Sequence, residues 1–281
     1  MKIRIITDSA SDLLSPHRPE ITVLPMTITF GSEQFLDGVE LSQRQFYEKL
    51  IEGEDLPTTS QIAPAQFEEA FRAAVEAGEA VVAVVLSAKL SGTYQSACIA
   101  AEDFPGRVFV VDSANATIGE QILVERAVEL MDAGLDAAAI AARLEEEKGD
   151  IRLVALLDTL EYLKKGGRIS PAVALAGALL SIKPVISVEN GEIAILGKAR
   201  GSKNGSNMLM TLVEKSGGIN FDKPCCLAYS GLSDALLQKY IADSERLYSG
   251  KTEHLPVCSI GSTIGTHAGP GAIAAAFFIN E

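Results

Sequence analysis

Short continuous apolar runs alternate along this chain with amphipathic stretches, and most of the runs end in small, hydroxyl-bearing residues. Lys2–Ile6, Ala80–Leu86 and Val108–Val111 have the length and composition of strands buried on both faces, the pattern of a parallel sheet. Between them, apolar residues recur at helical spacing: Phe46, Leu50 and Ile51 within Ser42–Ile51, and Phe67, Ala70, Phe71 and Ala74 within Pro64–Ala77. Tyr94–Glu102, Gly119–Gly134 and Asp136–Lys148 are predicted as further helices. Ile21–Phe30 alternates but contains Pro25, so it reads as an edge or irregular strand, pairing with Phe35–Val39 around a turn at Gly31. Strand and helix thus alternate, which predicts an α/β domain: a mostly parallel sheet with helices on both faces.

The pattern changes near Asp150–Leu160. Ile151–Leu157 is apolar, Asp158–Lys165 is helix-like, and Gly166-Gly167-Arg168 breaks it. Ala172–Leu180 reads as a helix of small apolar residues. Lys183–Val188 and Glu192–Ile195 flank Asn190-Gly191, a strong hairpin signal. Asn204–Lys215 and Ser233–Tyr248 are predicted helices, Pro224–Tyr229 and Thr252–Ile260 predicted strands. This mixture predicts a C-terminal α+β domain, with domains at 1–155 and 156–281.

Composition narrows the function. The 281 residues carry a net charge of −13, against the basic footprint of a general nucleic-acid binder, and no tryptophan. Three histidines and four cysteines without a C-x-x-C pair argue against a zinc site, and no metal or cofactor is expected. The N-terminal stretch MKIRIITDSASD does not read as a signal peptide, and no apolar run is long enough to span a bilayer. Cysteines in apolar runs suit a reducing compartment, so cytoplasm is the expectation.

Four hydroxyl-rich loops hold the candidate chemistry: Thr7–Asp12, Thr58–Gln61, Ser87–Thr93 and Ser262–His267. Loops at the carboxyl ends of strands can converge on one ligand. Ser and Thr hydroxyls, backbone N–H groups near a helix start and one imidazole suit a carboxylate or phosphate. Ser91 serves equally well as a plain helix cap. Ser91, His267 and Asp8 also permit a nucleophilic triad, although the G-x-S-x-G elbow is absent.

These segments, with their order and spacing, resemble the DegV family over essentially the whole chain. The matching stretches are TDSASD (Thr7–Asp12), PTTSQ (Pro57–Gln61), LSAKLSGTYQSA (Leu86–Ala97), LEYLKKGGRIS (Leu160–Ser170), KPVI (Lys183–Ile186) and IGTHAGPGA (Ile264–Ala272). The resemblance implies a two-domain protein that holds one long-chain fatty acid at the domain interface and has no turnover of its own. It also implies a possible partner, a fatty acid kinase subunit that makes acyl phosphate from the presented carboxylate. The ligand-binding residues it implies are Thr59, Ser60, Ser91, Gly92, Thr266 and His267, and it assigns Arg168 and Arg200 to partner docking and phosphoryl handling. Val173–Leu180 and Ile122–Leu123 are candidate tunnel walls. The sequence departs from the family pattern at Ile62, at Ala88, at Ala116–Gln121 (with Glu120) and at Gly201–Asn204, the last of which lacks the usual basic run. A Ser-dependent acyl hydrolase, another enzyme acting on a small anion and a lipid sensor are the competing readings.

Overall fold

The computed structural model describes residues 1–13, 18–53, 56–170, 182–248 and 255–280. Its first sheet grows from the two apolar runs that the sequence marks most plainly. β1 (Ile3–Asp8) and β6 (Ala80–Val85) lie side by side in parallel, Ile3 opposite Ala80 and Ile6 opposite Ala83. β2 (Ile21–Leu24) and β7 (Val108–Asp112) complete the order β2-β1-β6-β7, parallel throughout. Alternation splits the buried residues between two faces. Val81, Ala83 and Val85 pack on Phe67, Phe71 and Ala97 of α2 (Pro64–Glu76) and α3 (Thr93–Ala101). Val82 and Val84 pack on Ile122, Leu123 and Ile140 of α4 (Ile118–Asp132) and α5 (Ala137–Glu147).

The second sheet begins with β8 (Ile151–Leu156) and has the order β10-β9-β8-β13-β11-β12. β9 (Ile182–Glu189) and β10 (Glu192–Arg200) form the expected hairpin, whose turn puts Asn190 and Gly191 at φ of 52° and 83°. β11 (Cys225–Tyr229) pairs in parallel with β12 (Val257–Ser259) and antiparallel with β13 (Ile273–Phe278). One face, including Leu153, Ala155, Ile186 and Ala274, turns to the core shared with α4. The opposite face packs Val154, Leu156 and Val185 on α7 (Gly201–Lys215) and α8 (Ala235–Asp243). The order of layers is therefore helix, parallel sheet, helix, mixed sheet, helix, the α/β and α+β halves that the sequence predicts.

Three local expectations are corrected. Ile21–Phe30 is two strands, because Pro25 has no N–H to continue a ladder. Beyond it β3 (Thr27–Phe30) leaves for a separate small sheet between β4 (Glu33–Leu36) and β5 (Thr58–Ser60). Thr58–Gln61, expected as a loop, supplies that strand β5. Ser262–His267, also expected as a loop, is the helix α9 (Ser262–Ala268). α1 (Gln43–Glu52) starts with a capping box between Ser42 and Gln45 and covers the small sheet with Phe46, Tyr47 and Leu50. No helix among the described residues is long and apolar enough to cross a membrane.

Candidate functional site

A cavity of about 90 Å³ lies between the inner face of the mixed sheet and the carboxyl end of β6. Alternate residues of three strands make its apolar wall: Leu153, Ala155 and Leu157, then Ile186 and Val188, then Ala272 and Ala274. Met26, Leu86, Leu90, Ala116 and Ile264 close it from the side of the parallel sheet. Thr59, Ser60, Gln61, Ser91, Thr117, Thr263, His267 and Arg168 are its polar lining. The space thus has a long apolar body and one hydroxyl- and nitrogen-bearing region, the form of a site for an amphipathic ligand.

The hydroxyl-rich segments do converge here, each on its own element. β5 brings Thr59, whose Oγ1 lies 2.9 Å from His267 Nε2 on α9. The loop after β6 brings Ser91, whose Oγ lies 3.0 Å from Thr93 Oγ1 and accepts from the Thr93 N–H at 3.3 Å. Gly92 precedes α3 where a Cβ would stand 2.0 Å from Gln61 Oε1, so a larger residue there would have to displace the end of the Gln61 side chain. Arg168 follows the short helix α6 (Glu161–Lys165); its Nε donates to Leu90 O at 3.1 Å and its Nη1 to Gly166 O at 2.6 Å. Burial lowers the Arg168 pKa, and among the described residues no carboxylate pairs with it. The guanidinium therefore reaches the cavity with its charge uncompensated by a neighbouring acid.

Three residues implied by the resemblance are not on the cavity lining: Gly92, which adjoins the lining residue Ser91, and Thr266 and Arg200. Thr266 is buried but does not line the cavity, because its Oγ1 donates to Ser262 O within α9 at 2.9 Å. Arg200 is exposed at the end of β10 and is not on the cavity lining. Of the candidate walls, Ile122 and Leu123 are spent in the core under the parallel sheet, whereas Val173–Leu180 lies outside the described residues. The walls that sequence reasoning missed are the alternating inner faces of β8 and β13; Ile151–Leu157 is apolar almost throughout, so no alternation marks which side chains border a space.

The electrostatics are those of a dry site. Burial first, and Arg168 second, push the His267 pKa down to about 4, so its imidazole is neutral at pH 7. Its Nδ1 is buried without a hydrogen-bond partner. Behind the site stand buried carboxyls. Asp8 at the end of β1 accepts from the N–H groups of Ala10 and Leu86 at 2.9 and 2.8 Å, and burial raises its pKa to about 6. Asp12 accepts from Thr117 Oγ1 at 2.5 Å and from the Gly261 N–H at 2.8 Å, and burial raises its pKa to about 8. Glu120 accepts from Thr7 Oγ1 at 3.1 Å while its Oε2 has no partner; burial and then Asp8 push its pKa well up. Glu120 is therefore part of the packing under β1 rather than of the cavity lining. Thr117 itself sits at φ 49°, ψ −135°, a conformation glycine prefers, held there by Asp12 and by its N–H to Ala10 O at 2.8 Å.

Ser91, His267 and Asp8 are not assembled as a hydrogen-bonded relay. The Ser91 hydroxyl pairs with Thr93, the imidazole with Thr59, and both Asp8 oxygens are taken by backbone N–H groups.

Fold and cavity together define an α/β protein whose two large sheets enclose an apolar space with one polar end. A profile for the family described as uncharacterised protein, DegV family, matches residues 2–280, and the chain belongs to that family. A DegV domain-containing protein of Deinococcus radiodurans is 36% identical over 284 residues, spanning 98% of each chain. A DegV family protein from Thermus thermophilus, described as fatty-acid-binding, superposes with a TM-score of 0.88 at 34% identity, covering 99% of this chain and 100% of that one. The Streptococcus pneumoniae fatty acid kinase (Fak) B3 protein loaded with linoleic acid shares the fold, with a TM-score of 0.87 at 23% identity and full coverage of both chains.

Proposed function

We propose that this protein binds one long-chain fatty acid, with the tail along the apolar cavity and the carboxylate against Thr59, Ser91 and His267. The observation that carries the reading is the Thr59–His267 pair on the lining, with Ser91, of a mainly apolar cavity. The fatty acid binding described for the Thermus relative, a third identical along its full length, supports it. Each buried CH₂ contributes about 0.8 kcal/mol, so the tail supplies affinity and the polar region sets register. A carboxylate moved into an apolar space costs several kcal/mol unless it is hydrogen-bonded or paired. A neutral His267 donates or accepts a hydrogen bond but brings no charge. The charge partner in this reading is Arg168, which the resemblance assigns instead to a partner's phosphoryl chemistry; both uses are compatible with its place on the lining.

In the fuller proposal the bound acid is handed to a kinase subunit in the cytoplasm, and this chain catalyses nothing itself. That step rests on the DegV motifs, and the exposed position of Arg200 suits a contact with such a partner. Denaturing extraction and mass spectrometry of the purified protein test the central claim. One equivalent of long-chain fatty acid is expected. Its absence, even after incubation with a fatty-acid mixture, would sink the proposal. Ser91→Ala then separates it from a hydrolase: a binder loses retention, whereas a hydrolase loses turnover and keeps its ligand.

A further inference from the structure

α9 begins without a cap of its own. Its N-cap residue is Gly261, which has no side chain, and the first N–H groups of a helix have no internal acceptor. Two carboxyls that are distant in sequence take them. Asp12 Oδ1 accepts from the Gly261 N–H at 2.8 Å. Asp37 Oδ1 accepts from the Ser262 N–H at 3.2 Å, and its Oδ2 from the Thr263 N–H at 3.1 Å and the Thr263 hydroxyl at 2.6 Å. Asp37 is 2% exposed, and it sits where the helix dipole favours negative charge.

Asp37 is not an arbitrary anchor. It follows β4, and its N–H donates to Met26 O at 2.9 Å, beside β3. β3 also pairs with β5, Ile28 opposite Thr59. The small sheet therefore holds α9 at both ends: by Asp37 at its first turn, and by Thr59 against His267 at its last. The circuit from sheet to Asp37, along α9 to His267, and through Thr59 back to the sheet is closed. A helix of seven residues is about 10 Å long, so a small rotation at its start is carried undamped to the imidazole.

We infer that Asp37, assisted by Asp12, is a positioning residue of the carboxylate site: it fixes the rotation and depth of α9 so that His267 meets Thr59. The inference rests on the fatty-acid reading for the identity of the ligand, but not for the geometry. It predicts a selective defect. Releasing α9 disturbs the polar region and leaves the tail's walls on β8, β9 and β13 in place.

The test compares Asp37→Asn with the wild-type full-length protein, after delipidation, in binding a fatty acid and the fatty alcohol of the same chain length. Asparagine keeps the shape but loses the charge that faces two N–H groups and a hydroxyl. The variant is expected to lose about tenfold or more in affinity for the acid, the equivalent of about 1.4 kcal/mol, and less than about twofold for the alcohol. The His267 imidazole ¹⁵N signals, assigned by loss in His267→Gln, are expected to shift. Equal losses for acid and alcohol, or unshifted His267 signals, would overturn the inference. If Asp37→Asn does not fold, Asp37→Glu, which keeps the charge but moves it by one methylene from the start of α9, is held to the same two criteria. If the wild type binds neither ligand, the fatty-acid reading fails by itself, and the imidazole shift alone then decides for or against Asp37.

Discussion

Replacing Gly166 by alanine isolates the position of the imidazole from every other part of the site. Gly166 ends α6 at φ −72°, an ordinary conformation for any residue, so its backbone gives no reason for glycine. On backbone grounds the substitution would stabilise by about 0.4–1 kcal/mol through the unfolded chain. A Cβ there, however, falls 2.2 Å from His267 Nδ1, 2.8 Å from its Cε1 and 3.1 Å from Tyr162 O. The ring must retreat by about 1 Å or more to restore van der Waals contact, which breaks its 2.9 Å contact with Thr59. Overpacking of this kind costs about 1–3 kcal/mol and the lost hydrogen bond about 0.5–1.5. After the backbone gain is subtracted, Gly166→Ala is expected to destabilise by roughly 0.5–4 kcal/mol in urea unfolding, and to release bound fatty acid faster. In a His267→Ala background the obstructing ring is gone. There the second substitution should cost little, giving a coupling about as large as the single-variant cost in the double-mutant cycle. Additivity within about 0.5 kcal/mol, or a stabilised single variant with normal retention, would show that the ring is not where the reasoning needs it.

His267, lowered to about 4 from 6.5, binds fewer protons folded than unfolded between those values, so its contribution to stability is complete above pH 6.5 and lost as pH falls to 4. His267→Gln should remove that acid limb, worth about 3 kcal/mol, from denaturation midpoints followed between pH 4 and 7; parallel wild-type and variant curves would count against a buried neutral imidazole. Glu120 has the opposite sign: its raised pKa means that the folded chain keeps a proton the unfolded chain has lost, so stability falls as pH rises above the ordinary carboxyl range. Glu120→Gln should accordingly raise the melting temperature more at pH 8 than at pH 5, and an equal gain at both would contradict a neutral buried acid. Arg168→Ala should speed dissociation of the bound acid about tenfold or more, whereas Arg200→Ala should leave dissociation unchanged and affect only transfer to a kinase; stopped-flow displacement distinguishes them, and identical rates would dissolve the distinction.

The architecture was legible because burial writes itself into strand composition. Ala80–Leu86 could be little else than a central strand, and Asn190-Gly191 little else than a tight turn. What the sequence concealed was the element type of the short polar segments. PTTSQ and GSTIGTH look alike as strings of small residues, yet one is paired in a sheet and the other is wound into a helix. Their state is set by distant partners, β3 in one case and Asp37 with Asp12 in the other, and no local periodicity reports such contacts. The same blindness affected the site. Thr59, Ser91 and His267 were legible as donors in recurring motifs, whereas the facing alanines and leucines carry no chemistry until a sheet sets them around a space.

The cavity borders residues from both halves of the fold: Leu86 and Ala116 in the loops after β6 and β7 on one side, and Leu153, Ala155 and Ala274 of the mixed sheet on the other. A ligand there does for the interior what a further core side chain would do. The unloaded protein carries a gap in its middle, and the loaded one has that gap filled by something the ribosome did not supply. Any acid that occupies it at a hundred times its dissociation constant adds about 2.7 kcal/mol to folding. If the proposed function holds, the melting temperature of this protein is a gauge of its cargo, and it falls when the ligand is extracted.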